Sequence, residues 1–259
     1  VDTVDEETGE VRPGRAVHLG DHPAMVAAMR DRRGRLQAVH VTYLACGFGP
    51  PTADGVWPVD KLRLPPGDDG AERKAKKMHG ASWGTSIQLS AMPRHGPGAG
   101  RWLFGEGIET SLSVLMSVRA SGEDACVEAA GSLGNMAGRG VGQGPKHPWR
   151  KVKGTNRPQR MPAAEPDMTF PGIQPPPGAR VAVPIKDGDG KDAPGQRQLE
   201  ARIEERCRRL NLRVDTHAKP PPGVDFNDLL QGVAPAAVTP QRAAFDGAQD
   251  RRRAQRRAG

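Results

Sequence analysis

From Arg101 onward the chain alternates short apolar runs with stretches of helical period, and this alternation constrains its fold more than any other feature. Trp102-Leu103-Phe104 is strand-like, and the segment after it repeats apolar residues at Ile108, Leu112, Leu115 and Met116, which predicts a helix. Cys126-Val127-Glu128-Ala129-Ala130 reads as the next strand, with Gly131-Ser132-Leu133-Gly134-Asn135 as the turn at its end. Val181-Ala182-Val183-Pro184-Ile185 reads as a third strand. Pro194 then opens a helix with apolar positions at Leu199, Ile203, Cys207 and Leu210, and Leu212-Arg213-Val214-Asp215 reads as a fourth strand. The expectation is an α/β fold built from parallel βαβ units with right-handed crossovers, a parallel sheet flanked by helices. Strand C-termini in such a sheet converge on one edge, where carboxylates distant in sequence can meet around a divalent cation. Gly105-Glu106-Gly107 and Asp187-Gly188-Asp189-Gly190 each stand where an apolar run gives way to a helix, so Glu106, Asp187 and Asp189 read as one metal site. Pro184 cannot donate to a central ladder, so the strand presenting the aspartates is expected to be irregular or to end early.

The rest of the chain is organised around this core. Residues 1–17 are polar and aperiodic and read as a linker or lead-in; 18–95 read as a small N-terminal α+β subdomain. Within it, Ala24 to Met29 and Leu36 to Leu44 are β-prone and separated by Asp31-Arg32-Arg33-Gly34, which predicts a hairpin. Residues 47–73, rich in Gly, Pro and Asp, are expected to form an irregular loop, with a short strand near Ile87 after it. Residues 139–178 carry Gly, Pro, Lys and Arg without periodicity and read as a basic loop insertion of the 101–232 domain, functional or disordered. Asp225-Phe226-Asn227-Asp228-Leu229-Leu230 reads as a capped short helix, and 233–259 as a basic, disordered tail.

Composition narrows the function. The chain's 259 residues are ample for an apolar core. Cys46, Cys126 and Cys207 lie far apart with no C-x-x-C pair, so neither a zinc ribbon nor a disulfide framework is indicated, and a cytoplasmic, reducing setting is expected. No run approaches the roughly 18 apolar residues of a membrane span, and the acidic start lacks the features of a signal peptide. The opening on Val1 suggests a piece of a longer polypeptide. A net charge of +8 points to a polyanionic partner, nucleic acid above all. The charge gathers at Arg73, Lys74, Lys76 and Lys77, again from Lys146 to Arg160, and again from Arg251 to Arg257. Lys146, His147, Trp149, Arg150, Lys151 and Lys153 set an aromatic among cations, a combination suited to stacking on a base of a single strand; a flexible basic loop is the alternative.

Gly105-Glu106-Gly107-Ile108-Glu109-Thr110-Ser111-Leu112-Ser113, Asp187-Gly188-Asp189 and Asp225-Phe226-Asn227-Asp228, in this order and within this βα pattern, resemble the Toprim (topoisomerase-primase) domain. The likeness is greatest to primase-like Toprim proteins of phages, plasmids and other mobile elements. It runs over residues 18–232, since His22-Pro23-Ala24-Met25-Val26, the strand from Val39 to Leu44 and Lys77-Met78-His79-Gly80 are similar to that family's N-terminal portion. The resemblance implies a Toprim-type Rossmann-like core over 101–232. It implies that Glu106 is a metal ligand or a general acid/base and that Asp187 and Asp189 bind magnesium, with manganese as an alternative. Asp225 would be a late acidic element beside the metal or, equally, a helix N-cap. Lys77, with Lys74 and Lys76, would meet template or nucleotide phosphates, and Gly107 and Gly188 would allow metal-bound phosphates to come close. Glu109 reads either as part of the site or as an acid favoured by a helix N-terminus.

The activity so implied is that of a DNA primase-type nucleotidyltransferase, making primers on single-stranded DNA from nucleoside triphosphates with Mg²⁺. Hard oxygen ligands suit that ion, and paired cations about 3.5–4 Å apart assist phosphoryl transfer. A Toprim metal-dependent nuclease and a non-catalytic nucleic-acid-binding module are the alternatives. The sequence departs from the primase pattern in lacking a zinc-binding module and a Walker A motif, so either these lie elsewhere in a longer protein or the activity differs; a replicative helicase is a further partner that the resemblance suggests. A topoisomerase needs a tyrosine nucleophile, and the one tyrosine, Tyr43, falls in a predicted strand. An EF-hand is excluded, because Lys191, Asp192 and Gln198 occupy loop positions that require an acid, a glycine and a glutamate.

Overall fold

A computed structural model describes residues 20–46, 59–66, 73–96, 98–152, 154–186, 193–221 and 223–232, together with the short strands β1 (Thr3–Val4) and β2 (Val11–Arg12). Those two strands pair antiparallel within the stretch expected to be a lead-in. The chain divides into two compact units, residues 1–26 with 41–77 and residues 27–40 with 78–259. Strands β3 (Ala24–Arg30) and β4 (Leu36–Cys46) contribute residues to both.

In the first unit, β4 pairs antiparallel with β5 (Val59–Lys61), Leu44 opposite Lys61 and Cys46 opposite Val59. The loop expected over 47–73 therefore contains a strand. Alternation there is too short to read as a period, and the strand is specified by the partner it meets. The Tyr43 N–H donates to the Ala75 carbonyl just ahead of β6 (Lys76–Gly80), which pairs with β4.

The second unit is built on a five-stranded sheet. Its elements in chain order are β7 (Ile87–Gln88), β8 (Arg101–Gly105), α1 (Ile108–Ala120), β9 (Cys126–Ala129), α2 (Leu133–Ala137), β10 (Lys146–Lys151), β11 (Pro158–Arg160), β12 (Val181–Pro184), α3 (Ala193–Arg209), β13 (Arg213–Val214) and α4 (Phe226–Leu230). The sheet order is β13-β12-β8-β9-β7, with β13, β12, β8 and β9 parallel and β7 antiparallel at the edge. All four residues of β9 and nearly all of β8 and β12 are buried, as parallel strands covered on both faces must be.

Alternate side chains of these strands feed two cores. Trp102, Phe104 and Ala182 pack with Met136, Ile203 and Cys207 on the face covered by α2 and α3. Leu103 and Val183 pack with Val114 and Leu115 of α1 on the other, with Phe226 of α4 at its margin. The β8-to-β9 and β12-to-β13 connections run in opposite directions along the sheet, and right-handed crossovers then place their helices on opposite faces. Pro184 sits in register with Phe104 at the very end of β12, where the next ladder bond is donated by Ile185 N–H to the Phe104 carbonyl at 2.8 Å. A central strand tolerates proline there because successive N–H groups face opposite neighbours, so the missing donor faces β13, whose ladder ends at Val214 opposite Ala182.

The insertion is ordered rather than a featureless loop. β10 and β11 form an antiparallel hairpin, Lys146 opposite Arg160 and Lys151 opposite Pro158. Two arginines of α3, 6% and 3% exposed, hold the backbone on either side of it. Arg202 donates to the carbonyls of Ala163 (2.6 Å) and Gly138 (2.9 Å), and Arg206 to those of Asp167 (3.3 Å) and Phe170 (3.2 Å). Burial pulls the pKa of both guanidinium groups down. Gly140 makes this approach feasible, since a Cβ there would lie 2.5 Å from an Arg202 terminal nitrogen.

Candidate active site

The strand order reverses between β8 and β12, so the crevice outside the carboxyl ends of these two strands is where a doubly wound sheet accepts its ligand. A cleft lies there. Glu106 enters it directly after β8, and Pro184, Ile185 and Lys186 from the end of β12. Leu133 and Met136 of α2 and Gln196, Glu200 and Ile203 of α3 close its sides. The Glu106 turn is fixed through its backbone: Ala130 N–H donates to the Gly105 carbonyl and Gly131 N–H to that of Glu106, both at 2.9 Å. Gly105 is demanded by space, since a Cβ would meet Ser111 Oγ at 2.7 Å and the Ile185 Cβ at 3.4 Å.

Gly107 is the N-cap of α1 and leaves that end without a side-chain cap. The amide hydrogens of the first turn and the positive end of the helix dipole therefore stand next to Glu106, a combination that favours anions. Glu109 lies in the same turn, its carboxylate oxygen 3.7 Å from where a Gly107 Cβ would be. Asp225 is the N-cap of α4, one of its two sequence readings. Its Oδ1 caps α4 by accepting from Asp228 N–H at 2.8 Å, while Asp228 accepts from the Asp225 N–H at 3.0 Å. Its Oδ2 receives Thr110 Oγ1 of α1 at 3.5 Å, which brings this carboxylate against the helix that Glu106 precedes.

Asp187, Gly188, Asp189 and Gly190 lie outside the described residues. Among the described residues, no group of three or more His, Cys, Asp or Glu side chains is arranged to hold a metal ion. Lys74, Lys76 and Lys77 belong to the first compact unit, Lys74 and Lys77 exposed and Lys76 half-buried. Lys146, Trp149 and Arg150 stand exposed on β10, and only His147 of that strand is buried. His147 Nδ1 accepts from the N–H groups of Trp149 (3.3 Å) and Arg150 (2.9 Å), and its ring meets the Trp149 ring edge-on at 4.9 Å. Lys153 and the basic cluster from Arg251 to Arg257 lie outside the described residues.

Several residues of this edge carry no signal in a reading by motif. Lys186 reaches Glu204 at 2.8 Å and Glu200 at 3.6 Å, with all three side chains under 20% exposed, and Gln196 donates to Glu200 at 3.2 Å. The i, i+4 spacing of Gln196, Glu200 and Glu204 beside the apolar stripe of α3 was the available clue. Asn135 ties three segments together, donating to the carbonyls of Thr85 (2.9 Å) and Ala130 (2.8 Å) and accepting from Gly84 N–H (2.8 Å). Glu128, 1% exposed in the middle of β9, is neutralised by a fork of hydrogen bonds from Arg32 at 2.6 and 2.7 Å and accepts from Trp102 Nε1 at 3.0 Å. Such a bidentate pair offsets part of the cost of burying a carboxylate, and it is structural here.

Comparisons with protein-family models, with curated proteins and with solved structures return no match to this chain. None of the helices among the described residues is long and apolar enough to cross a membrane.

Proposed function

We propose that this protein is a Toprim-type, primase-like nucleotidyltransferase that synthesises primers on single-stranded DNA from nucleoside triphosphates, using magnesium held by Glu106, Asp187 and Asp189. The observation that carries the reading is the reversal of strand order between β8 and β12, with Glu106 in the cleft beyond β8 and the Asp187–Asp189 motif following β12 directly in sequence. The donor chemistry fits the ion: the cleft offers carboxylate and amide oxygens and no thiol or imidazole among its described lining residues. Bound there, magnesium would neutralise charge on a transferring phosphate.

The chain's own groups have separable tasks in this scheme. Glu106 either ligates the metal or moves the proton of the attacking hydroxyl. The open first turn of α1 offers amide donors to phosphate oxygens, and the absence of a Cβ at Gly107 lets them approach. Lys186, engaged by Glu200 and Glu204, fixes the end of β12 against α3. Lys146, Trp149 and Arg150 would grip the template, and Lys74, Lys76 and Lys77 the triphosphate or template backbone.

The test is incubation of the protein with single-stranded DNA, labelled nucleoside triphosphates and Mg²⁺, beside the Glu106→Gln and Asp187→Ala variants. Metal-dependent oligonucleotides, reduced about 100-fold or more in both variants, are expected. Undiminished synthesis by Glu106→Gln would remove Glu106 from the chemistry, and template cleavage in place of synthesis would make the site a nuclease.

A further inference from the structure

We infer that Trp83 is a stacking platform for a nucleobase at the edge of the Glu106 cleft, an inference that rests on the proposed nucleotide chemistry of that cleft. Trp83 is 46% exposed, so half of a large apolar side chain faces water. It is nevertheless held from behind. Phe170 meets it edge-on at 5.0 Å, and the Arg139 guanidinium lies over the other ring of that pair at 3.9 Å. The indole rests against the first turn of α2, its Cη2 3.7 Å from where a Gly134 Cβ would be, and the neighbouring residue of that turn, Leu133, lines the cleft with Glu106.

The backbone beneath Trp83 is equally fixed. Gly84, at φ +77°, lets the chain turn against Pro171, and Asn135 of α2 binds both Gly84 and Thr85. Gly131, just ahead of α2, donates to the Glu106 carbonyl, so Trp83 and Glu106 are braced against the same short segment. An indole already immobilised loses little freedom when a flat partner settles on it, which is what distinguishes a platform from an incidental exposed side chain. The chemistry of that partner follows from the charge around it. No Asp or Glu occurs between Glu128 and Glu165, whereas Arg139, Lys146, Arg150, Lys151, Lys153, Arg157 and Arg160 all fall there. An aromatic face backed by Phe170 and Arg139, the latter within a stretch of sequence that carries cations and no acids, suits a base on a phosphate backbone.

Binding of fluorescein-labelled oligothymidylate, and of an abasic oligomer of the same length and charge, would be measured by anisotropy in metal-free buffer. Trp83→Ala is expected to weaken the thymidylate oligomer about tenfold and leave the abasic one unchanged, with Trp83→Phe close to wild type. Equal loss on both oligomers, no loss on either, or a wild-type protein that binds neither would overturn the assignment. Because the assay needs no metal and no turnover, stacking without primer synthesis would break only the catalytic reading, and synthesis with unchanged Trp83→Ala binding would break only this one.

Discussion

The strands that flank the cleft and the hairpin of the insertion are both paired backbone, yet different forces hold them. β8, β9 and β12 are buried along almost their whole length, and their side chains fill cores on two faces. Among the described residues of the hairpin only His147 is buried, and every residue of β11 is exposed. What fixes the hairpin and its flanks is largely polar: ladder bonds, two N–H groups on the His147 imidazole, and the guanidinium groups of Arg202 and Arg206 on four carbonyls, while further along the insertion Ile173 joins the core under α2 and α3. A region held by its side chains announces itself in hydrophobic pattern, whereas one held by its backbone does not. The contrast also separates two positions: the buried strands fix the turn that carries Glu106, and the hairpin holds Lys146, Trp149 and Arg150 exposed.

The largest effect that bears on this contrast is expected at the arginine clamp. Arg202→Met strands two buried carbonyls and should destabilise the protein by roughly 2–4 kcal/mol in denaturant titration. A loss no larger than that of an exposed arginine such as Arg150 would mean that the insertion does not depend on α3. Next comes the strand end. Gly105→Ala drives a methyl into Ser111 Oγ and should cost about 1–3 kcal/mol. Adding Ser111→Ala should recover part of it, and strict additivity of the two changes would show that the close approach is not the cause. Replacing residues 146–160 by a Gly-Ser linker is expected to shift stability by no more than about 0.5 kcal/mol, as for exposed sites. It should also flatten the salt dependence of DNA binding, and an unchanged slope would place the phosphate contacts elsewhere.

The smallest effect is a matter of pH. The Arg35 side chain, with the N–H groups of Arg33 and Arg35, holds the Asp31 carboxyl down to about 2 from an ordinary 3.8. A depressed carboxyl stabilises the fold above its unfolded pKa, and that contribution disappears as pH falls through the folded value. Asp31→Asn should therefore lower the melting temperature slightly at pH 5 and by clearly less near pH 2. An equal difference at both would show that charge plays no part in this turn.

How far the fold was legible in sequence follows the same division. Trp102-Leu103-Phe104 and Val181 to Pro184 read correctly as strands because continuous apolar runs have few other uses, and α1 and α3 because their apolar residues recur at helical spacing. The hairpin turn at Asp31–Gly34 was visible in its Asp and Gly, which cap and close it. β5, β10 and β11 were missed, being short, polar and defined by their partners. At the site, Glu106 was legible because a glutamate between two glycines breaks an apolar strand. Lys186, Glu200, Asn135 and Trp83 were not, since what marks each is a contact with a residue distant in sequence.

The central claim is that the carboxyl ends of β8 and β12 form one metal site. Titration of Mn²⁺ followed by electron paramagnetic resonance, on the wild-type protein and on Glu106→Gln and Asp187→Ala, tests it without reference to activity. Wild-type protein should take up Mn²⁺, Mg²⁺ should displace it, and each variant should bind at least about tenfold more weakly. Equal uptake by all three proteins, or none by the wild type, would contradict the account.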